Sequence, residues 1–123
     1  MALKILIVDD EKINIAIVKF GLAEQRYEVA VANDGVDGLE LVKKHKPDLI
    51  ILDVQMPQMN GYEFMAELKQ MEHIIPPPVL MLTANETMQD VFHLEGVKGY
   101  FVKPIELKKL INKIIECIGE NPL

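Results

Sequence analysis

The feature that most constrains this chain is a run of four apolar residues, Leu49, Ile50, Ile51 and Leu52, that stops on a carboxylate, Asp53. Pro47 and Asp48 supply a turn just before it. An apolar run of this length with no polar alternation predicts a strand buried on both faces, as in a parallel sheet, and such a sheet needs helices above and below it. In open α/β sheets ligands gather outside the carboxyl ends of the strands. Asp53 therefore stands where chemistry is usually done.

Three more apolar runs end on polar groups. Lys4 to Val8 leads into Asp9 and Asp10, Val79 to Leu82 into Thr83, and Tyr100 to Val102 into Lys103. A further alternating stretch, Glu28 to Ala32, reads as a strand followed by the turn residues Asn33, Asp34 and Gly35. Helical spacing fills the gaps. The first helix is predicted over about Ile13 to Gln25, with Ile13, Ile17, Val18, Gly21 and Leu22 toward the sheet and Ile15 and Phe20 left over. A second is predicted over Val36 to Lys44 despite the helix-weakening Gly38, and a third over Tyr62 to Met71 with Phe64, Met65 and Leu68 on its apolar side. Met56 to Gly61 reads as a loop, because Pro57 disfavours continuing the strand and Gly61 permits a tight backbone. Pro76 to Pro78 block helix before the fourth apolar run. A short helix near Met88 to Leu94 precedes the last strand, and Pro104 is predicted to start the last helix, where Leu107, Leu110, Ile111, Ile114, Ile115 and Ile118 keep three-and-four spacing. Five strands alternating with five helices, joined by right-handed crossovers, give a doubly wound parallel sheet with helices on both faces.

At 123 residues and 50% hydrophobic, the chain can bury one core and has no room for a second domain. The single cysteine, Cys117, cannot form an internal disulfide, and its helical neighbours predict a half-buried, inert thiol. No apolar run approaches the roughly 20 residues of a membrane helix, and Met1 to Leu3 lead into a strand rather than a signal peptide, so a cytoplasmic protein is expected. A formal charge of -6 argues against direct nucleic-acid binding and suits a divalent-cation site with basic or apolar protein partners.

From about Lys4 to Ile118 the chain resembles the receiver domain of two-component response regulators. Asp9, Asp10, Asp53, Thr83 and Lys103 occur in the receiver order, together with the Met56, Pro57 and Gly61 spacing after the acceptor acid. The resemblance implies a single receiver domain over residues 1–123, with 119–123 able to begin a linker, and a flavodoxin-like sheet of order 2-1-3-4-5, of which the chemotaxis receiver is a known example. It further implies that Asp53 accepts a phosphoryl group from a histidine kinase or a histidine phosphotransfer domain. Downstream, an effector protein or an attached output domain would read the result. No separate enzyme activity is expected beyond magnesium-dependent self-phosphorylation and autodephosphorylation.

The charges agree with this. Asp9, Asp10 and Asp53 brought together would repel one another unless a cation intervened, and Mg2+ (or Mn2+) suits a few carboxylates, a phosphoryl oxygen and water. By resemblance, Asp10, Asp53 and the backbone carbonyl of Gln55 are direct ligands and Asp9 acts through water. Taken alone, Asp9 and Asp10 would read as a helix N-terminus favoured by the macrodipole. Lys103 and the Thr83 hydroxyl, with the Ala84 amide, would bind phosphoryl oxygens. Thr83 and Tyr100 would form the switch, and Lys103–Pro104 would carry a cis peptide. By the same resemblance, Gln55 and Asn85 would border the path of the hydrolytic water. The first helix would contribute to the surface that docks the phosphodonor.

Other classes fit less well. A haloacid-dehalogenase phosphatase also uses a strand-end aspartate nucleophile but wants the second acid of its own motif two residues on, a pattern not read in Asp9 followed by Asp10 and Glu11, and a flavodoxin needs a Ser/Thr/Gly-rich phosphate loop where Glu11, Lys12 and Ile13 stand. A phosphate-independent pseudo-receiver would have lost an acid or the lysine. The chain departs from the receiver pattern in two places: Thr83 to Lys103 is two residues short, and Gly96, Val97, Lys98, Gly99 and Tyr100 replace the common Gly-Ala-Asp-Asp-Tyr. The loss of both acids, with Lys108, Lys109 and Lys113 on the last helix, predicts a monomer.

Overall fold

A computed structural model describes residues 2–56, 58–72, 74–84 and 96–120. Among them are five strands and four helices: β1 (Lys4–Val8), α1 (Lys12–Glu24), β2 (Glu28–Ala32), α2 (Gly35–His45), β3 (Leu49–Asp53), α3 (Gly61–Gln70), β4 (Val79–Thr83), β5 (Val97–Val102) and α4 (Leu107–Ile118). All strand pairs are parallel, in the order β2-β1-β3-β4-β5. The helix expected near Met88 to Leu94, and with it Asn85, lies outside the described residues, as does Pro57.

β3 and β4 occupy the interior of the sheet, and every residue of both is buried. Alternate side chains go to opposite faces. Ile50 and Leu52 join a cluster with Val42, Phe64 and Leu68 of α2 and α3, whereas Leu49 and Ile51 join Val18, Leu22, Leu110 and Ile114 of α1 and α4. The unbroken apolar run thus supplies both halves of the core, each fully buried Leu or Ile contributing about 1.5–3 kcal/mol.

Two glycines matter for packing. Gly38 sits inside α2, where a Cβ would lie 3.0 Å from both Phe64 and Val8, so the helix gives up propensity to approach the sheet closely. At Gly61 a Cβ would lie 3.0 Å from the Val54 Cα, and the Gly61 amide donates to the Val54 carbonyl at 2.9 Å. The segment after Asp53 is thereby clasped to the start of α3. Asn60 and Glu63 cap that helix reciprocally, each side chain accepting from the other's backbone amide.

Three expectations need correcting. On α1, Ile13 and Ile17 are exposed and Ile15 packs into the core beside Val18 and Leu22. The helix carries two apolar stripes roughly 200° apart, and the sheet took the one through Ile15. β5 begins at Val97 rather than Tyr100. Its pairing with β4 slips by one residue, Val79 facing Val97 and Leu80 facing Gly99, and this irregularity hides the strand from a period-2 reading. Finally, α4 starts at Leu107 with Glu106 at its N-cap, so Pro104 precedes the helix; the Lys103–Pro104 peptide is cis, as the resemblance implied. Cys117 is half-buried and burial pushes its thiol up, which fits an inert side chain. No helix among the described residues is long and apolar enough to cross a membrane.

Candidate functional site

The parallel register gathers the polar strand ends at one edge of the sheet. Val8 pairs with Leu52, Asp53 with Leu82, and Thr83 with Val102, so Asp9, Asp53, Thr83 and Lys103 follow one another across three neighbouring strand pairs. Backbone bonds carry the ladder past the strand ends: Asp9 N–H donates to the Ala32 carbonyl at 3.1 Å, Val54 N–H to Leu82 at 2.9 Å, and Lys103 N–H to Thr83 at 2.8 Å. This edge is the switch point of the sheet, where β1 is flanked by β2 on one side and β3 on the other.

Asp9, Asp10 and Asp53 each offer a carboxylate oxygen within 4.8 Å of the others. Asp9 and Asp53 are buried, 1% and 2% exposed, while Asp10 is open to solvent. The Asp53 Oδ1 accepts from the Gln55 amide at 3.1 Å, and its Oδ2 lies 3.5 Å from the Lys103 ammonium. Asp9 Oδ1 accepts from the Glu11 amide at 2.9 Å, but Asp9 Oδ2 is buried and, among the described residues, accepts no hydrogen bond.

An oxygen in that condition is costly. Burial pushes the Asp9 carboxyl up to about 6; the Glu11 amide opposes this and the Asp53 charge adds to it. For Lys103 burial acts downward, yet the nearby Asp53, Asp9 and Glu11 outweigh it and hold the ammonium above its usual value. Three close carboxylates, one with an unpartnered buried oxygen, form a hard-oxygen donor set that fits a divalent cation.

Of the remaining sequence candidates, Thr83 is fully buried at the end of β4, and Ala84 follows it at the surface. Gln55 is exposed on the loop beyond Asp53. Tyr100 is half-buried against the core on the α2 and α3 side. Sequence reasoning missed Glu11 as a site residue. Its Oε2 lies 3.2 Å from Lys103 Nζ. The available signal is a third consecutive acid, directly after Asp9 and Asp10 at the end of the first strand.

The family model of the response regulator receiver domain matches residues 5–115. The chain is 38% identical over 117 residues to the alkaline phosphatase synthesis transcriptional regulatory protein PhoP of Bacillus subtilis (strain 168), covering 94% of this chain and 48% of that protein. It therefore spans about half the length of that relative. Among solved structures, chemotaxis protein CheY4 of Vibrio cholerae is similar at a TM-score of 0.84 and 31% identity, over 95% of this chain and 99% of that one. The receiver domain of sensor histidine kinase PA1611 from Pseudomonas aeruginosa PAO1 is similar at a TM-score of 0.86 and 25% identity, over 98% of this chain and 100% of that one, and its structure has a magnesium ion coordinated in the active site cleft.

Proposed function

The chain belongs to the response regulator receiver family, and on that premise we propose that Asp53 is its phospho-acceptor, served by a divalent cation at Asp9, Asp10, Asp53 and the Gln55 carbonyl. The observation that carries this reading is a buried strand-end carboxylate set between an unpartnered buried Asp9 oxygen and the Lys103 ammonium. In the transfer, an Asp53 oxygen forms a bond to phosphorus as the phosphorus–nitrogen bond of a donor phosphohistidine breaks. The imidazole leaves with that electron pair and takes up a proton. Such a transfer asks the protein mainly for positioning and charge neutralisation. The bound cation, Mg2+ or Mn2+, supplies part of that neutralisation.

Lys103 follows the phosphoryl oxygens, and the Thr83 hydroxyl and Ala84 amide bond the others. A phosphoryl group brings roughly two negative charges and three strong acceptors, enough to draw Thr83 and let Tyr100 change its packing. The face formed by β5 and α4 then carries the signal to an effector protein or an attached output domain. Both acids and the lysine of the family are present, so nothing favours a phosphate-independent pseudo-receiver.

Incubation with magnesium and acetyl phosphate, followed by intact-mass measurement, tests the reading. One phosphoryl group per chain is expected, and chelating the metal beforehand should prevent its addition; an unlabelled protein at saturating donor and magnesium would overturn the reading.

The lifetime of the acyl phosphate offers a second expectation. Gln55 and Asn85 are neutral amides that can hold a water in line with phosphorus but are poor general bases. Replacing both with alanine should change the decay rate constant by at least about fivefold, the effect of one lost hydrogen bond. Decay followed by loss of label after donor removal measures this. An unchanged rate would deny both residues the role.

The signalling face should not self-associate. On α4, Lys109 lies 3.4 Å from Glu106 and Lys113 lies 3.2 Å from Glu116, so these acids are already engaged within the helix, while Lys98 on β5 is exposed. An isologous contact there would oppose lysines with too little acid. Sedimentation with and without beryllofluoride should give a monomer in both cases. A dimer dispersed by Lys109→Glu would contradict that.

A further inference from the structure

Glu11 stands at the N-cap of α1 but does not cap it: its side chain makes no bond to the helix backbone. Ser, Thr, Asp or Asn at this position would satisfy a free amide of the first turn. Instead the Glu11 carboxylate reaches across to Lys103, with Oε2 at 3.2 Å from Nζ, and the same oxygen accepts from the Asn14 side-chain amide at 2.6 Å. Its main chain is held from below, where the Glu11 amide donates to the buried Asp9 carboxylate at 2.9 Å. Lys103 in turn lies 3.5 Å from Asp53. One ammonium is therefore shared between the acceptor carboxylate and a carboxylate at the rim, aimed by Asn14.

We propose that Glu11 is a positioning residue that holds Lys103 in the resting state and releases it when Asp53 takes the phosphoryl group; this rests on the acceptor reading above. The two carboxylates differ in environment. The Asp53 side chain is 3% exposed and that of Glu11 56%. The pair with Glu11 is the more screened of the two, and so the more readily given up. Lysine suits such an exchange, being a point charge on a flexible stem without the two-pronged geometry of arginine. An arriving phosphoryl group brings more charge than Glu11 carries and brings it nearer to Asp53. Lys103 then exchanges partners, and the strength of its hold on Glu11 sets part of the barrier to transfer.

The test uses the full chain at saturating magnesium with acetyl phosphate, reading the limiting rate constant of labelling separately from the half-saturating donor concentration. Glu11→Gln should raise the limiting rate constant about three- to fivefold, the range open to an ion pair with one half-exposed partner. Asn14→Ala, which alters no charge, should raise it by a smaller factor. In a Lys103→Ala background Glu11→Gln should leave the limiting rate constant unchanged, because the effect travels through the lysine. A simple repulsion between Glu11 and the anionic donor would appear in the half-saturating concentration and persist without Lys103. If the Lys103→Ala protein labels too slowly to follow, beryllofluoride binding measured by fluorine NMR makes the same comparison: tighter by that factor in Glu11→Gln, equal once Lys103 is absent. An unchanged limiting rate in Glu11→Gln, or equal acceleration with and without Lys103, would overturn the proposal. A wild-type protein that takes no label would instead overturn the acceptor reading.

Discussion

Asp53→Asn should take no phosphoryl group under conditions expected to label the unaltered chain, a loss on the order of 10³-fold or more. The reason is chemical before it is structural. A carboxylate oxygen carries the electron pair that bonds phosphorus, and a neutral amide offers neither the charge nor a comparable nucleophile. Asparagine is nearly isosteric, and its Oδ1 can keep the bond from the Gln55 amide, now 3.1 Å long. Lys103 retains Glu11 as a partner at 3.2 Å. The fold should therefore survive, and loss of label can be read as loss of the acceptor. Labelling of the variant at the original rate would move the acceptor elsewhere.

Asp9→Asn should make the metal-free protein more stable, by about 3 kcal/mol at pH 7.5, while removing most of its response to magnesium. Asp9 is 1% exposed with one oxygen unpartnered among the described residues, and its carboxyl is raised from 3.8 to about 6. A carboxyl raised on folding contributes stability that is fully present below its unfolded value and is lost as pH rises through the folded one. The penalty for ionised Asp9 thus grows between about pH 4 and pH 6 and is complete above it. The amide carries no such penalty, so the advantage of the variant should vanish near pH 4. Magnesium should act in the other direction, stabilising the folded state of the unaltered chain by mass action and finding a poorer site in the variant. Urea unfolding at both pH values, with and without magnesium, decides the matter. A metal-free Asp9→Asn protein less stable than its parent at pH 7.5 would show that the buried oxygen costs nothing.

The same residue marks the boundary between what local sequence carries and what it does not. The buried character of β3, its end at Asp53, and the polar ends of β1, β4 and β5 were legible, because a strand buried on both faces leaves a run that no alternating pattern imitates. Parallel pairing and right-handed crossovers then leave few topologies, and all of them bring those ends to one edge. Beyond that point neighbours in space decide. Asp9 and Asp10 are adjacent in sequence, yet one is buried and the other exposed, since successive residues leaving a strand point to opposite sides. Helical spacing put Ile13 on the inner face of α1 and left Ile15 over; contact with the sheet and with Leu107 of α4, which lies against Gly21, selected Ile15 instead. Glu11 meets Lys103 across 92 positions of chain. Sequence alone determined the first four strands and the polar ends of the sheet, though not where β5 begins, because those signals lie within a few residues of one another. The tertiary structure alone decided which helix stripe is inside, which acid is desolvated and which carboxylate holds the lysine, because burial and ion pairing depend on atoms contributed by distant parts of the chain.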